Sequence, residues 1–273
     1  MKNLIKTFIS GLVKFLAKTK IGRFFLEQVL NTAMSKVRSV QYNGTNLSFS
    51  VPNGLNHFRV DSFSVKEPET LEWIDGLPKN SILWDIGANV GLYTCYAAKA
   101  RNCRVFSFEP SVFNLELLAR NIFNNDIVNQ VTILPLPLSE SISRSSLNMS
   151  TTEWGGALST FGQSYTEDGK TLKKIFEFPT LGISMVDAVD LLKIPQPDYI
   201  KMDVDGIEHL ILKGGGNVLA KVKGVIIEIN EGFEKQFIDS FNYLSAAGLV
   251  LKEKRHSDLY AGTVCFNQIW HRP

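Results

Sequence analysis

The residues best able to do chemistry lie in three short runs. In the first, Asp85-Ile86-Gly87-Ala88-Asn89-Val90-Gly91 follows the apolar stretch Ile82, Leu83, Trp84 and precedes Leu92, Tyr93, Ala97 and Ala98. A short buried strand, a glycine turn and a helix are the predicted order. Gly87 and Gly91 let the backbone turn sharply around Asn89 and approach a ligand, and the helix beyond offers free N–H groups and the positive end of its dipole. The carboxylate of Asp85, at the strand end, is suited to a cationic or hydroxyl group of that ligand. In the second run, Arg104 to Phe108 forms an apolar strand closing on Glu109, 22 residues after Gly87. An acid about 20 residues beyond a glycine turn, at the tip of the adjacent strand, is where a ribose diol is grasped. A glycine turn alone is a common structural device; its coupling to Glu109 points to an adenosine-like ligand. Dinucleotide folds place a glycine where Asn89 stands, to make room for a pyrophosphate, and Asp85 would repel a diphosphate. The same carboxylate suits an ammonium group, so S-adenosylmethionine is preferred over NAD.

The third run gathers acids at strand ends. Asp198 to Asp203 reads as a strand after Pro195-Gln196-Pro197, Asp205-Gly206-Ile207-Glu208 opens a helix that stops near Gly214-Gly215-Gly216, and Val225-Ile226-Ile227 leads to Glu228. In an open doubly wound sheet ligands collect beyond the carboxyl ends of the strands. Lys201 and Asp203, two residues apart, share one face of an extended strand. Methyl transfer requires an aligned acceptor oxygen and a group to take its proton. Asp203 is the candidate base or acceptor-orienting group, with Lys201 and Glu208 shaping the site and Glu228 in support; Asp203 also borders the cofactor. Structural alternatives stand beside these roles. Asp205 and Glu208 have capping-box spacing, and Lys201 with Glu228 could be an ion pair between adjacent strands. Asp203, Asp205 and Glu228 could hold Mg²⁺, although no His or Asn evidently completes the shell, so no residue is assigned to a metal. His57, His209, His256 and His271 lack metal-site spacing; His209, beside Glu208, is a candidate acid-base partner.

Three further stretches must position these groups. Val131 to Leu134 is a third strand, and Pro135 to Ser139 carries the chain past the adenine edge, with Leu138 on the cofactor wall. The run from Ser141 to Gly169, rich in Ser, Thr and Gly, reads as a long irregular lid or substrate-reading loop. Its aromatics Trp154, Phe161 and Tyr165 either stack on a sugar ring or pack within the loop. Upstream, residues 40–65 have the alternation and the turn signals, Asn43-Gly44 and Asn53-Gly54, of short strands, and Pro68 opens a helix with acids in its first turn.

The segments Trp84-Asp85-Ile86-Gly87-Ala88-Asn89-Val90-Gly91-Leu92-Tyr93, Phe108-Glu109-Pro110 and Ile200-Lys201-Met202-Asp203-Val204-Asp205-Gly206-Ile207-Glu208 together resemble the FkbM-type family of S-adenosylmethionine-dependent methyltransferases. The similarity runs in register from roughly Phe58 to Asn230, and Lys66-Glu67-Pro68-Glu69-Thr70 also looks familiar. The resemblance implies an α/β class I methyltransferase fold, Rossmann-like, with a seven-stranded mostly parallel sheet and helices on both faces. It also implies methylation of a hydroxyl on a sugar, glycan, glycolipid or secondary metabolite. The rival reading is a catalytically silent S-adenosylmethionine-binding module held at membranes. A nucleic-acid base methylase is disfavoured, because Asp203-Val204-Asp205 stands where amino methylases carry Asn-Pro-Pro-aromatic.

Composition is consistent with an ordinary folded chain: 273 residues, 44% hydrophobic and 21% charged, with a net charge of +2. Residues 1–40 hold eight basic side chains and one acid, Glu27, leaving 21 basic against 26 acidic in the remainder. An acidic body does not suit a general nucleic-acid binder. Cys95, Cys103 and Cys265 have neither disulfide-framework nor zinc spacing, and a reducing cytoplasm is expected, with the inner face of a membrane as a peripheral location.

The organisation predicted is a basic helical extension (1–39), a lead-in of strands and helix (40–80) and the cofactor-binding domain (81–273). In the extension Leu4, Ile5, Phe8, Ile9, Leu12, Phe15 and Leu16 fall on one helical arc and Lys6, Lys14 and Lys18 on the other. Lys6 and Lys14 interrupt any signal-peptide core, and no run approaches the roughly 18 apolar residues of a spanning helix. Gly22 is expected to break the helical stretch, with a second helix from Arg23 to about Ser39. Apolar stripes ordinarily mark packing, here on the body or on a second subunit; docking on an anionic membrane surface is the alternative.

Overall fold

The computed structural model describes residues 2–273. Two amphipathic helices come first, α1 (Lys2–Leu16) and α2 (Lys20–Met34). The break falls at residues 17–19 and not at Gly22. Thr19 is extended and its hydroxyl accepts the Gly22 N–H at 2.9 Å, an N-cap stronger than the glycine's tendency to interrupt. Gly22 lies inside α2 because its missing Cβ admits the Leu16 carbonyl; a Cβ would stand 2.1 Å from that oxygen. The second helix also stops earlier than expected, and the chain is already extended at Val37. The apolar stripe is not laid on the body: Leu4, Phe8 and Phe15 are 79%, 72% and 65% exposed.

A hairpin follows, β1 (Val37–Tyr42) and β2 (Thr45–Ser50), paired antiparallel. Its turn uses positive φ at Asn43 and Gly44 (42° and 77°), the twist that two-residue hairpin loops require. Asn53-Gly54, the second turn signal, does not make a hairpin. Asn53 caps α3 (Gly54–Asp61), accepting the Asn56 N–H at 2.9 Å, and α4 (Phe63–Lys66) and α5 (Pro68–Asp75) complete a helical lead-in.

The body then alternates strand and helix: β3 (Ile82–Ile86), α6 (Leu92–Arg101), β4 (Arg104–Phe108), α7 (Val112–Asn124) and β5 (Val131–Leu134). Next comes a three-stranded antiparallel sheet, β6 (Ser143–Met149), β7 (Ser159–Phe161) and β8 (Phe176–Gly182), in the order β7-β6-β8. The stretch from Ser141 to Gly169 is therefore not an irregular loop. Its serines hid the inward set Leu147, Met149 and Phe161, which is buried in the core. The chain continues through α8 (Met185–Asp190), β9 (Tyr199–Met202), α9 (Glu208–Lys213), α10 (Gly216–Leu219), β10 (Gly224–Asn230), α11 (Glu234–Ala246), β11 (Val250–Arg255) and β12 (Cys265–His271).

Seven strands form the central sheet in the order β11-β12-β10-β9-β3-β4-β5. The run from β10 to β5 is parallel and β12 is antiparallel to both its neighbours. Pleating divides each strand between two cores. Trp84, Ile86, Phe106 and Phe108 pack with α8, α9, α10 and α11, while Leu83 and Val105 pack with Tyr96 of α6, Leu118 of α7 and Phe49 of the hairpin. From β3 the chain builds outward to β5, then returns to lay β9 on the other side. That reversal between β3 and β9 is a topological switch point, where parallel strand ends splay and leave a crevice.

Candidate active site

A cavity of about 740 Å³ opens at the carboxyl ends of β3, β4, β9 and β10, a volume suited to a cofactor-sized ligand. Gly87, Asn89, Glu109, Leu138, Lys201, Asp203 and Glu228, all singled out from the sequence, line it. Asp85, Gly91 and Glu208 do not. These three are corrected below, each for a local reason.

After β3 the backbone bends through Gly87 (φ 79°), Asn89 (φ 51°) and Gly91 (φ 82°). The N–H groups of Gly87 and Ala88 both donate to the Phe108 carbonyl, at 2.9 and 3.1 Å, tying the turn to the end of β4. A Cβ on Gly87 would stand 1.8 Å from the Asp203 carbonyl oxygen, so the turn lies directly against the end of β9. Gly87→Ala combines left-handed strain with that clash and is expected to cost about 2–5 kcal/mol, read as a fall in the urea midpoint. Gly91 precedes α6 and its bare face meets Leu118, whose Cδ1 would lie 2.4 Å from a Cβ. Gly91 thus serves helix packing and does not face the ligand.

Glu109 ends β4 as a buried carboxyl. It accepts the Asn89 N–H at 2.7 Å and the Ser111 N–H at 2.8 Å. Burial pushes it up to about 7, against the lowering effect of these bonds. Over it, the segment 154–159 is pinned from several sides. Asn53 and Asn56 donate to the Trp154 carbonyl at 3.0 and 2.8 Å, and Arg59 Nε donates to Gly155 O at 2.9 Å. Asn89 and Asn114 donate to Gly156 O at 2.9 and 3.1 Å. Asn114, Asn56 and Arg59 carry no motif that marks them in the sequence; Asn114 also donates to Glu109 Oε1 at 3.5 Å, and it and Arg59 line the cavity. Of the three loop aromatics, Phe161 reaches the cavity, while Tyr165 meets Phe233 edge-on.

Lys201 organises the other half of the site. Its buried Nζ lies 3.4 Å from Asp85 Oδ1 and 3.8 Å from Asp203 Oδ2, donates to Gly87 O at 3.3 Å and sits 5.5 Å from the centre of the Tyr93 ring. Burial works to lower its pKa, but the carboxylates of Asp85, Asp203 and Glu67 push it up to about 12. The alternative pairing with Glu228 does not form among the described residues. Asp85 is 1% exposed, accepts the Thr94 hydroxyl at 2.5 Å and stands behind Lys201. Asp85 does not line the cavity, whereas Lys201, beside its second oxygen, does. Glu67 was not anticipated either; it lines the cavity and pairs with Lys66 at 2.7 Å. Its only signal was its place in the Lys-Glu-Pro-Glu-Thr segment.

The turn after β9 is held by its own acids. Asp205, at φ 60°, accepts the Leu158 and Ser159 N–H groups at 2.7 and 3.2 Å. Glu208 accepts the Val204 and Gly206 N–H groups at 3.0 and 3.1 Å, and Gln236 also donates to it. The capping box is therefore absent: Ile207 holds the N-cap position of α9. Glu208 is withdrawn from the cavity and fixes the turn that carries Asp203. Glu228 is held well above the usual carboxylate range, first by burial and then by Asp203, Glu67 and Glu208. No group of three or more His, Cys, Asp or Glu side chains among the described residues is arranged to hold a metal ion, and Asp205 spends an oxygen on two backbone donors, so the Mg²⁺ alternative gains no support. His209 is buried with both ring nitrogens unbonded, its ring edge-on to Phe233. Burial pushes it down to about 4, and it does not engage Glu208.

Burial holds Glu208 at about 7 as well, which fixes the sign of a pH effect. Between the ordinary glutamate value of 4.5 and about 7, folded Glu109 and Glu208 keep protons that the unfolded chain has released, so their contribution makes stability fall as pH rises. Asp205, also pushed up to about 7, adds to the fall, and His209, pushed down to about 4, opposes it in part below its ordinary 6.5. The ligand-free melting temperature is expected to decline from pH 5 to pH 7.5, and Glu208→Gln should flatten the slope. A melting temperature rising over that range in both proteins would contradict the assignment.

Sheet order, glycine turn and acid-tipped second strand define the class I, Rossmann-like methyltransferase fold. The model of the methyltransferase FkbM domain matches residues 85–251, and the chain belongs to that family of methyltransferases. It is 30% identical over 187 residues to the hexuronic acid methyltransferase AglP of Haloferax volcanii, covering 67% of this chain and 71% of the relative. It is 36% identical over 69 residues to the methyltransferase sdnD of Sordaria araneosa, covering 25% of this chain and 27% of the relative. Among solved structures it is similar to the methyltransferase FkbM of Methylobacillus flagellatus, with a TM-score of 0.51 at 15% identity, over 92% of this chain and 59% of that one.

Proposed function

We propose that the protein is an S-adenosylmethionine-dependent O-methyltransferase that modifies a hydroxyl of a sugar or glycan. The observation that carries this reading is the sign of the cavity: Glu67, Glu69, Glu109, Glu167, Asp203, Asp205 and Glu228 line it against Arg59, Lys66 and Lys201. Such a wall suits a cationic donor and opposes a diphosphate. The residues fit that cofactor in shape as well, because Gly87 presents bare backbone and Glu109 presents a carboxyl at the cavity's inner end. When bound, S-adenosylmethionine supplies a methyl group activated by its sulfonium.

The chain's own residues do the rest. Glu109 grips the ribose hydroxyls, Leu138 and Phe161 supply apolar wall, and the pinned segment 154–159 keeps water from the reacting groups. Lys201 holds the Asp203 carboxylate in place, and Asp203 takes the proton of the acceptor hydroxyl at a side-chain oxygen. Glu228, which burial and the neighbouring acids favour in its neutral form, faces the same space and can offer that acceptor a hydrogen bond. AglP, named for hexuronic acid, supports the choice of an acidic sugar as the first acceptor to try.

The test is calorimetric titration with S-adenosylmethionine, followed by release of S-adenosylhomocysteine in the presence of hexuronate-containing oligosaccharides. Saturable binding that Glu109→Ala weakens, together with acceptor-dependent release, is expected. Absence of binding would overturn the cofactor assignment, and binding with no release on any hydroxylated acceptor would favour a silent module.

A further inference from the structure

We propose that α1 and α2 form an interfacial anchor that seats the protein on an anionic lipid bilayer. No residue of this pair of helices lines the cavity. Both helices present large apolar side chains to solvent: Leu4, Phe8 and Phe15 on α1, and Ile21, Phe24 and Phe25 on α2, are 55% to 84% exposed. Elsewhere among the described residues such side chains occur singly or in pairs, as at Ile175 and Phe176 or Leu191 and Leu192, whereas here they recur along two consecutive helices. A face of this kind ordinarily marks an interaction surface.

The charge around it selects the occupant. Lys6 and Lys14 on α1, Lys20 and Arg23 on α2 and Lys18 in the turn between them are all exposed, with Glu27 the one acid on the two helices, and none of these five cations forms an ion pair among the described residues. A second copy of this chain would bring the same five cations against them. An anionic headgroup layer neutralises the cations while its acyl boundary takes up the phenylalanines, which is how a basic amphipathic helix lies in an interface. Neither helix crosses the membrane, since no helix among the described residues is long and apolar enough. The break at residues 17–19 keeps α1 and α2 as consecutive short segments, each able to lie in the interface plane.

Full-length protein is to be floated with vesicles of phosphatidylcholine alone and of phosphatidylcholine mixed with phosphatidylglycerol. Two double variants accompany it, Lys14→Glu with Lys18→Glu and Phe8→Ser with Phe15→Ser, their folding checked by circular dichroism. The expected result is flotation with the anionic vesicles only, reduced roughly tenfold or more by either double variant and weakened by high salt. Equal recovery with both vesicle types, or none with either, overturns the proposal. So does a stable dimer in light scattering that the serine double variant dissociates while the wild type fails to float, which would assign the face to a second copy.

Discussion

Asp203→Asn is expected to lower turnover of a hydroxylated sugar acceptor about 10²- to 10⁴-fold, the usual worth of a positioned general base. The substitution keeps the shape of the side chain and removes its ability to take a proton. Asp203 lines the cavity within 3.8 Å of Lys201, on a turn that Asp205 and Glu208 fasten to the backbone, so the loss should fall on kcat while donor affinity changes little. Turnover within a few-fold of wild type would remove Asp203 from the reaction and move attention to Glu228, another acid on the cavity wall.

Lys201→Met carries the largest effect expected on stability. The lysine is the one cation within ion-pair distance of buried Asp85, and it also faces Asp203 and Glu67. Methionine fills much of the same volume but leaves the carboxylates facing one another without compensation. Breaking a buried pair on one side typically costs about 3–5 kcal/mol, and urea titration should register a loss of that size. Pairing the change with Asp85→Asn should recover a substantial part of the loss, because the charge left behind is then also removed. A double variant no more stable than Lys201→Met alone would mean that the Asp85 contact contributes little and that Lys201 acts mainly by packing on Tyr93.

Sequence and structure agree at several places where the determinant is local, though not at all of them. The turn at Gly87, the apolar strands before it and before Glu109, and the Pro68 helix start each depend on the conformational limits of a few neighbouring residues, and all are present in the fold. Thr19 was a local signal as well, outweighed in the sequence reading by Gly22, whose missing Cβ in fact serves the approach of the Leu16 carbonyl. The hidden strands of segment 141–169 needed the rest of the core to become visible. Ser143, Ser145 and Ser146 dilute the hydrophobic pattern, and only the apolar layer waiting for Leu147, Met149 and Phe161 decides that they pair as strands.

At the site the same division holds. The residue types at strand ends and the spacing from Gly87 to Glu109 placed the candidate residues around one cavity at the tips of parallel strands, because a sheet delivers its strand termini to one edge whatever lies around them. Which carboxyl faces the ligand was decided by contacts more than a hundred residues apart. Lys201 reaches across from β9 to cover Asp85, and Asn53, Asn56 and Arg59 hold a loop that sequence places about a hundred positions away. Side-chain reach and burial are properties of the packed interior, so a carboxylate's role as wall, brace or base was settled only when the strands were laid side by side.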